Sequence, residues 1–154
     1  MPIYILAFLI GVVAGLRALT APAVVSWAAR LGWVHLENTG LAFLGAAATP
    51  YIASVLAIGE LINDKLPKTP SRKAPASFLA RILMGALSGA ALGAAADSLA
   101  VGLISGALGA VAGTLGGYEA RKRAAIAIGK KDLPIALLED AVAIGGAFWI
   151  VSGL

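Results

Sequence analysis

The sequence predicts an all-α, polytopic membrane protein with about five transmembrane helices. Two observations support this prediction. Of the 154 residues, 60% are hydrophobic and only 13% are charged, whereas soluble domains carry about 25% charged residues. In addition, nine of the 12 Lys and Arg residues fall in two stretches, 64–76 and 121–132, which separate long apolar segments. Residues 1–154 are therefore expected to form a single integral membrane domain.

The first apolar segment, residues 3–29, is about 27 residues long, whereas roughly 20 are enough to cross the hydrocarbon layer. It carries Arg17 and, close behind it, Pro22. A charge near the bilayer centre costs roughly 2.5 to 3.5 kcal/mol on insertion scales, and proline disfavours helical geometry in the residue before it. We expect the helix to break at Thr20-Ala21-Pro22 and Arg17 to find partners on other helices.

The second span is predicted over residues 40–63, with Pro50 near its middle. We expect Pro50 to interrupt this span, as we expect Pro22 to interrupt the first. The stretch 64–76, which is rich in proline and basic residues, follows it and predicts a non-helical loop.

Residues 77–118 form an apolar run that is too long for one span and is interrupted mainly by Asp97 and Ser98. This pattern predicts a tight helical hairpin. After the second basic stretch, Asp132 is a predicted N-cap that begins a fifth span. The three helices are predicted over residues 77–96, 99–118 and 133–152.

The two basic stretches orient the predicted spans, because cytoplasmic loops carry an excess of Lys and Arg. Placing both as cytoplasmic loops puts the N-terminus in the cytoplasm and the C-terminus outside. We expect the chain to lie among the lipids of a bacterial inner (plasma) membrane. Topology explains the net charge of +4, so no nucleic-acid partner is predicted.

Glycines repeat every four residues on the third and fourth spans, a pattern called a glycine zipper. Such a row lets helix backbones approach closely. The row packs either within the hairpin itself or across the interface of a homo-oligomer, for which a dimer is favoured. The glycines predicted to pack helices are Gly85, Gly89, Gly93, Gly109, Gly113 and Gly117.

A short internal match suggests a repeat. GVVAG at 11–15 and GAVAG at 109–113 each lie in a span that is followed by a span with paired acids. Spans one and two would then relate to spans four and five as an inverted repeat, as in many transporters. Chance alignment is the alternative, because the apolar segments use few residue types.

Ionisable residues from several helices are expected to converge near the cytoplasmic side. Buried charges need one another or water, so two interpretations stay open. In one, the charges form a network that fixes helix assembly. In the other, they line a pathway in which an acid such as Glu60 exchanges protons and Arg17 contacts an anion. The candidate pathway residues are Arg17, Pro22, Glu60, Asp64, Lys65, Arg81, Glu139 and Asp140.

Enzymatic chemistry has no sequence support. The chain has no cysteine and a single histidine, which argues against disulfides, thiolate metal sites and histidine clusters. It contains no phosphate-binding loop, nucleophile elbow or zinc-protease motif. We expect no catalytic residue, no cofactor and no metal.

Four segments resemble the domain of unknown function 4126 family of small integral membrane proteins. They are Gly15-x-Arg17 with Pro22, GELINDKLPKTPSR at 59–72, GALSGA at 85–90 after Arg81, and LLEDAVAI at 137–144. The resemblance spans most of the chain and implies an all-helical membrane domain with no assigned activity. It implies that these positions match the polar positions of the family: Arg17, Glu60, Asp64, Lys65, Arg81, Glu139 and Asp140.

The sequence therefore yields two hypotheses about function. The first is a small transporter or channel for a small anion or polar metabolite, with proton coupling, in which Arg17 contacts the solute and the acids gate the path or carry protons. The second is a non-transporting scaffold or assembly factor in which the same charges specify helix packing.

Overall fold

The computed structural model describes residues 2–36, 40–63, 75–127 and 132–152. These residues form six α-helices and no strand. Two segments, Phe78–Ala95 and Leu99–Ala120, are long and apolar enough to cross a membrane. The helices are α1 (Ile3–Leu16), α2 (Thr20–Arg30), α3 (Thr49–Asn63), α4 (Pro75–Ala95), α5 (Leu99–Ala127) and α6 (Asp132–Ser152), with a 3-10 turn at Ala42–Gly45.

The first predicted span is two helices, α1 and α2. The interruption comprises residues 17–19, and Arg17 is extended with φ −142° and ψ 105°. It therefore begins one turn before the predicted break at Thr20-Ala21-Pro22. Pro22 lies in the first turn of α2, where its missing N–H costs no intrahelical bond.

The second predicted span, 40–63, is an α-helix only from Thr49 onward. Pro50 lies in the first turn of α3, because its ring would clash with the carbonyl four residues earlier in a longer helix. Before it, the Thr49 hydroxyl donates to the Phe43 carbonyl at 2.6 Å. Of the basic stretch that follows, residues 64–74 lie outside the described part of the chain.

The predicted hairpin between α4 and α5 turns at Asp97, whose φ is +58°. The Ser98 N–H donates to the Gly93 carbonyl at 2.7 Å, and the Asp97 N–H donates to the Ala94 carbonyl at 3.1 Å. These two bonds form a Schellman motif, which satisfies the last carbonyls of α4.

Helix α5 extends past its predicted end at residue 118 to Ala127. Residues 121–127 of the predicted basic loop are thus helical, because Ala, Arg and Lys are good helix formers. Residues 128–131 are outside the described ranges. Helix α6 begins at Asp132, one residue before the predicted start of the fifth span, so Asp132 is the first helical residue rather than the predicted N-cap.

The glycine rows pack against two different helices. On α4, a Cβ added to Gly89 would collide with the backbone of α5 at Gly102 and Gly106. On α5, a Cβ added to Gly109 would collide with the Phe8 carbonyl of α1. The hairpin therefore packs through Gly102 and Gly106 rather than through the predicted row on α5. Gly85 and Gly93 also meet α5, Gly113 meets Val12 of α1, and Gly117 is half-buried on α5.

These contacts fix the relative directions of three helices. Gly109 faces Phe8 and Gly113 faces Val12, so α1 and α5 run parallel, whereas α4 runs antiparallel to both. The N-terminus therefore lies at the end of the bundle that holds the Asp97 turn, opposite the basic end of α5. The alternating five-span scheme and the inverted repeat require antiparallel first and fourth spans, and this packing does not fit them.

Helix α3 lies at the periphery. It runs antiparallel to α2, since its Glu60 bonds to residues 18 and 19 while its Ser54 accepts a hydrogen bond from Trp27. Its substantial packing within the described residues is confined to α2 and the 3-10 turn. Tyr51 and Val55 on its outer face are largely exposed. The core is formed instead by α1, α2, α4 and α6.

Candidate functional site

The break between α1 and α2 leaves backbone groups inside the bundle without their usual helical hydrogen bonds. In a continuous helix, the Leu19 N–H would donate to the Gly15 carbonyl. The extended backbone at Arg17 removes that bond. Gly15 packs against Thr114, about 22 Å along α5 from its first residue, so water does not reach these groups easily and side chains must satisfy them.

The carbonyl end of α1 is satisfied by α4 and α5. Arg81 Nη1 donates to the Gly15 carbonyl at 2.8 Å, and Thr114 Oγ1 lies 3.4 Å from the same oxygen. Both side chains are buried. A cation at this position also opposes the negative end of the α1 dipole.

The N–H end of α2 is satisfied by α3. Glu60 accepts from the Ala18 N–H through Oε2 and from the Leu19 N–H through Oε1, each at 3.0 Å. A carboxylate is favoured there because helix N-termini carry partial positive charge and outward-pointing N–H groups. Glu60 thus accepts from the Leu19 N–H, and Arg81 donates to the Gly15 carbonyl. These two bonds replace the helical bond that would join the same two backbone groups.

The side chain of Arg17 points to α6. It is 0% exposed, and its Nε donates to Asp140 Oδ1 at 2.6 Å. Its Nη1 lies 3.5 Å from Glu139 Oε1. Charge-assisted bonds of this kind are about twice as strong as neutral ones, and an isolated buried guanidinium would be far more costly than a paired one.

The network joins every helix of the bundle at one level. Arg17 lies in the break itself, and one arginine from α4, three acids from α3 and α6, and Thr114 of α5 surround it. Five of the residues predicted from sequence therefore come together: Arg17, Glu60, Arg81, Glu139 and Asp140.

The remaining predicted residues lie beside the network or outside the described residues. Pro22 lies in the first turn of α2, just beyond the break. Asp64 and Lys65 fall outside the described residues. Sequence reasoning missed Thr114 and the backbone groups, although a lone threonine among the glycines and alanines of α5 is a visible signal.

A lateral cleft of about 210 Å³ adjoins the break, between α2, α3 and α6. Its wall is mostly apolar and includes Ile58, Ile144 and Phe148. Thr20 also lines it; this residue is 3% exposed, and its Oγ1 has no hydrogen-bond partner. Trp27 lines the other part of the cleft and donates through Nε1 to Ser54 Oγ at 2.7 Å.

Neither the break nor the cleft resembles a metal site. Within the described ranges, no group of three or more His, Asp or Glu side chains is arranged to hold a metal ion. The acids of the network face guanidinium and backbone N–H donors instead.

Comparison with known proteins gives the family. A family model described as "Domain of unknown function (DUF4126)" matches residues 5–152. The chain belongs to this family. No curated protein and no solved structure matches the chain. The DUF4126 match covers all the residues of the network, but its description assigns no activity, so the function must be argued from the site itself.

Proposed function

We propose that the chain is an integral membrane protein whose basic end faces the cytoplasm. Support comes from the two helices long enough to cross a membrane and from exposed apolar side chains such as Val55 and Trp149, which lipid would cover. With Arg123 and its basic neighbours inside by the positive-inside rule, the N-terminus is external. This orientation replaces the cytoplasmic N-terminus, because α1 runs parallel to α5.

We further propose that it transports a small anion, with the anion site at the N-terminus of α2. The observation that carries this proposal is the carboxylate of Glu60, held by two backbone N–H groups at 3.0 Å each. It stands in for an anion in a closed state. Because one copy encloses little volume, the proposed transporting unit is a dimer in the lipid bilayer.

Movement of α3 would open this site. Helix α3 packs mainly on α2 and the 3-10 turn, so a shift of this single helix withdraws Glu60 and leaves the rest of the bundle in place. Ala18 and Leu19 would then present their N–H groups to an incoming anion. Withdrawal leaves the partly buried carboxylate of Glu60 without its two backbone donors, and proton movement accompanies anion movement at this step of the proposal.

Arg17 has a different role in this proposal from the one expected from sequence. Its guanidinium is fully buried against Asp140 and Glu139, so it holds the backbone in the broken form rather than contacting the solute. A continuous helix would avoid the cost of a buried ion network, which often exceeds its gain in stability. A functional role explains why the break persists.

A scaffold without transport is the second candidate. The favouring observation is that Arg17 is 0% exposed and fully surrounded by the bundle. In that case the network specifies how the helices assemble, and the position of α3 is fixed.

Flux in proteoliposomes separates the two candidates. The probes are chloride, nitrate, phosphate and lactate, with and without a pH gradient. We expect uptake of at least one anion, stimulated by inward protons, and loss of this stimulation in Glu60→Gln. Glu119→Gln, which changes an exposed acid on α5, should behave like the unmodified chain. If correctly folded protein passes none of the four anions faster than empty liposomes, anion transport is refuted and the scaffold stands.

A further inference from the structure

The lateral cleft beside the break has the chemistry of a ligand site. Thr20 lines the cleft, and it directly follows Ala18 and Leu19, whose N–H groups bind Glu60. The two N–H donors therefore lie on one side of Thr20 along the chain, and the apolar space of about 210 Å³ lies beside it. Polar groups at one end of an apolar cavity are typical of sites that orient a small amphipathic ligand.

The Thr20 hydroxyl is the second observation that points to a ligand. It is 97% removed from solvent, since only 3% of the residue is exposed, and Oγ1 has no partner. A buried hydroxyl without a hydrogen bond is costly, and most such groups in native proteins have a partner. Because Thr20 lines the cleft and directly follows Leu19, its hydroxyl is the donor available to a carboxylate bound at this end of the cleft.

We propose that this site binds a small monocarboxylate with an apolar tail. Its carboxylate replaces that of Glu60 on the Ala18 and Leu19 N–H groups and accepts from Thr20, and its tail lies along Trp27 and the apolar wall. The inference rests on the proposed withdrawal of Glu60. The cleft is smaller than the roughly 300 to 1,000 Å³ of drug-sized pockets, so the ligand is a short chain rather than a full phospholipid.

Fluorescence of Trp27 gives a direct binding assay. Trp33 and Trp149 are 46% and 61% exposed, so Trp33→Phe and Trp149→Phe leave a single tryptophan in the cleft. In nanodiscs of the full chain, we expect 8-bromooctanoate to quench this tryptophan saturably and unlabelled octanoate to reverse the quenching. Octanol, which lacks the carboxylate, should compete at least tenfold more weakly.

Two variants test the role of the hydroxyl. Thr20→Val should weaken 8-bromooctanoate binding by about ten- to 100-fold, the effect of one hydrogen bond to a charged group. Ser88→Ala is the matched control, because Ser88 Oγ is also buried without a partner but lies on α4, and it should leave binding unchanged. Glu60→Gln should tighten binding, because an amide offers only one acceptor to the two N–H groups.

Three outcomes would overturn the inference. Quenching that never saturates would mean that 8-bromooctanoate only partitions into the bilayer. Equal effects of Thr20→Val and Ser88→Ala would exclude the cleft as the binding site. Quenching by a brominated phospholipid that octanoate cannot reverse would mean that a lipid chain fills the cleft. The result is separable from the transport proposal. Saturable binding without any anion flux refutes transport alone, whereas flux of the inorganic anions without octanoate binding refutes this inference alone.

Discussion

Replacing Arg17 with methionine tests whether the network holds the bundle together. The variant keeps a long unbranched side chain but leaves Asp140 and Glu139 without the guanidinium that lies 2.6 Å and 3.5 Å from them. Removing one member of a buried pair costs about 3 to 5 kcal/mol. We expect the upper part of that range, about 4 to 5 kcal/mol, because two acids share this cation. This corresponds to a fall of about 8 to 20 °C in the unfolding midpoint.

The measurement is thermal unfolding in a mild detergent, with two comparison variants. Arg30→Met removes an exposed arginine at the end of α2 and should change stability by less than about 0.5 kcal/mol. Arg17→Met combined with Asp140→Leu should recover part of the loss, since an apolar pair can replace a buried ion pair. If Arg17→Met and Arg30→Met unfold at the same temperature, the network contributes no stability and the reasoning fails.

Two further predictions concern packing and orientation. Gly89→Ala places a methyl group against the backbone of α5 and should lower the free energy of unfolding by roughly 1 to 3 kcal/mol. The control Gly145→Ala has open space for its methyl group and should be neutral or stabilising by up to about 1 kcal/mol. Equal unfolding midpoints of the two variants would contradict the close contact. Because the chain has no cysteine, single cysteines at Pro2, Ala96 and Arg123 can be labelled in sealed vesicles. We expect the first two to react from one side and the third from the other; labelling of Pro2 and Arg123 from the same side would contradict parallel packing.

The charged residues that form the site could be predicted from the sequence, because each charge in an apolar chain has few oppositely charged partners. Arg17 needs acids, and the acids in the described apolar helices are few. The partner of each charge could not be predicted. Glu60 binds the backbone N–H groups that the break exposes, and that choice depends on the residue at which α1 ends.

The direction of α1 could not be predicted either. Counting apolar residues assumes that every long segment crosses the membrane, and so gives alternating directions. Helix α1 has only 14 residues, about 21 Å, and ends within the bundle. Because α1 enters from the end opposite the basic residues, it brings Arg17 to the level of Glu139 and Asp140.

The helix α5 glycines show the same limit at smaller scale. The period of four predicts close helix packing, but a helix has several faces and the sequence does not say which helix each face meets. Gly102 and Gly106 meet α4, whereas Gly109 and Gly113 meet α1. Only the arrangement of all three helices distinguishes them.

The separation of Arg17 from its partner along the chain has a consequence for biogenesis. Asp140 follows Arg17 by 123 residues, so most of the protein is synthesised before the cation can be neutralised. Until α6 emerges from the ribosome, the N-terminal segment carries an uncompensated charge that resists entry into lipid. For a chain inserted in a membrane as proposed, we therefore expect the first helix to be translated to be among the last to reach its final position.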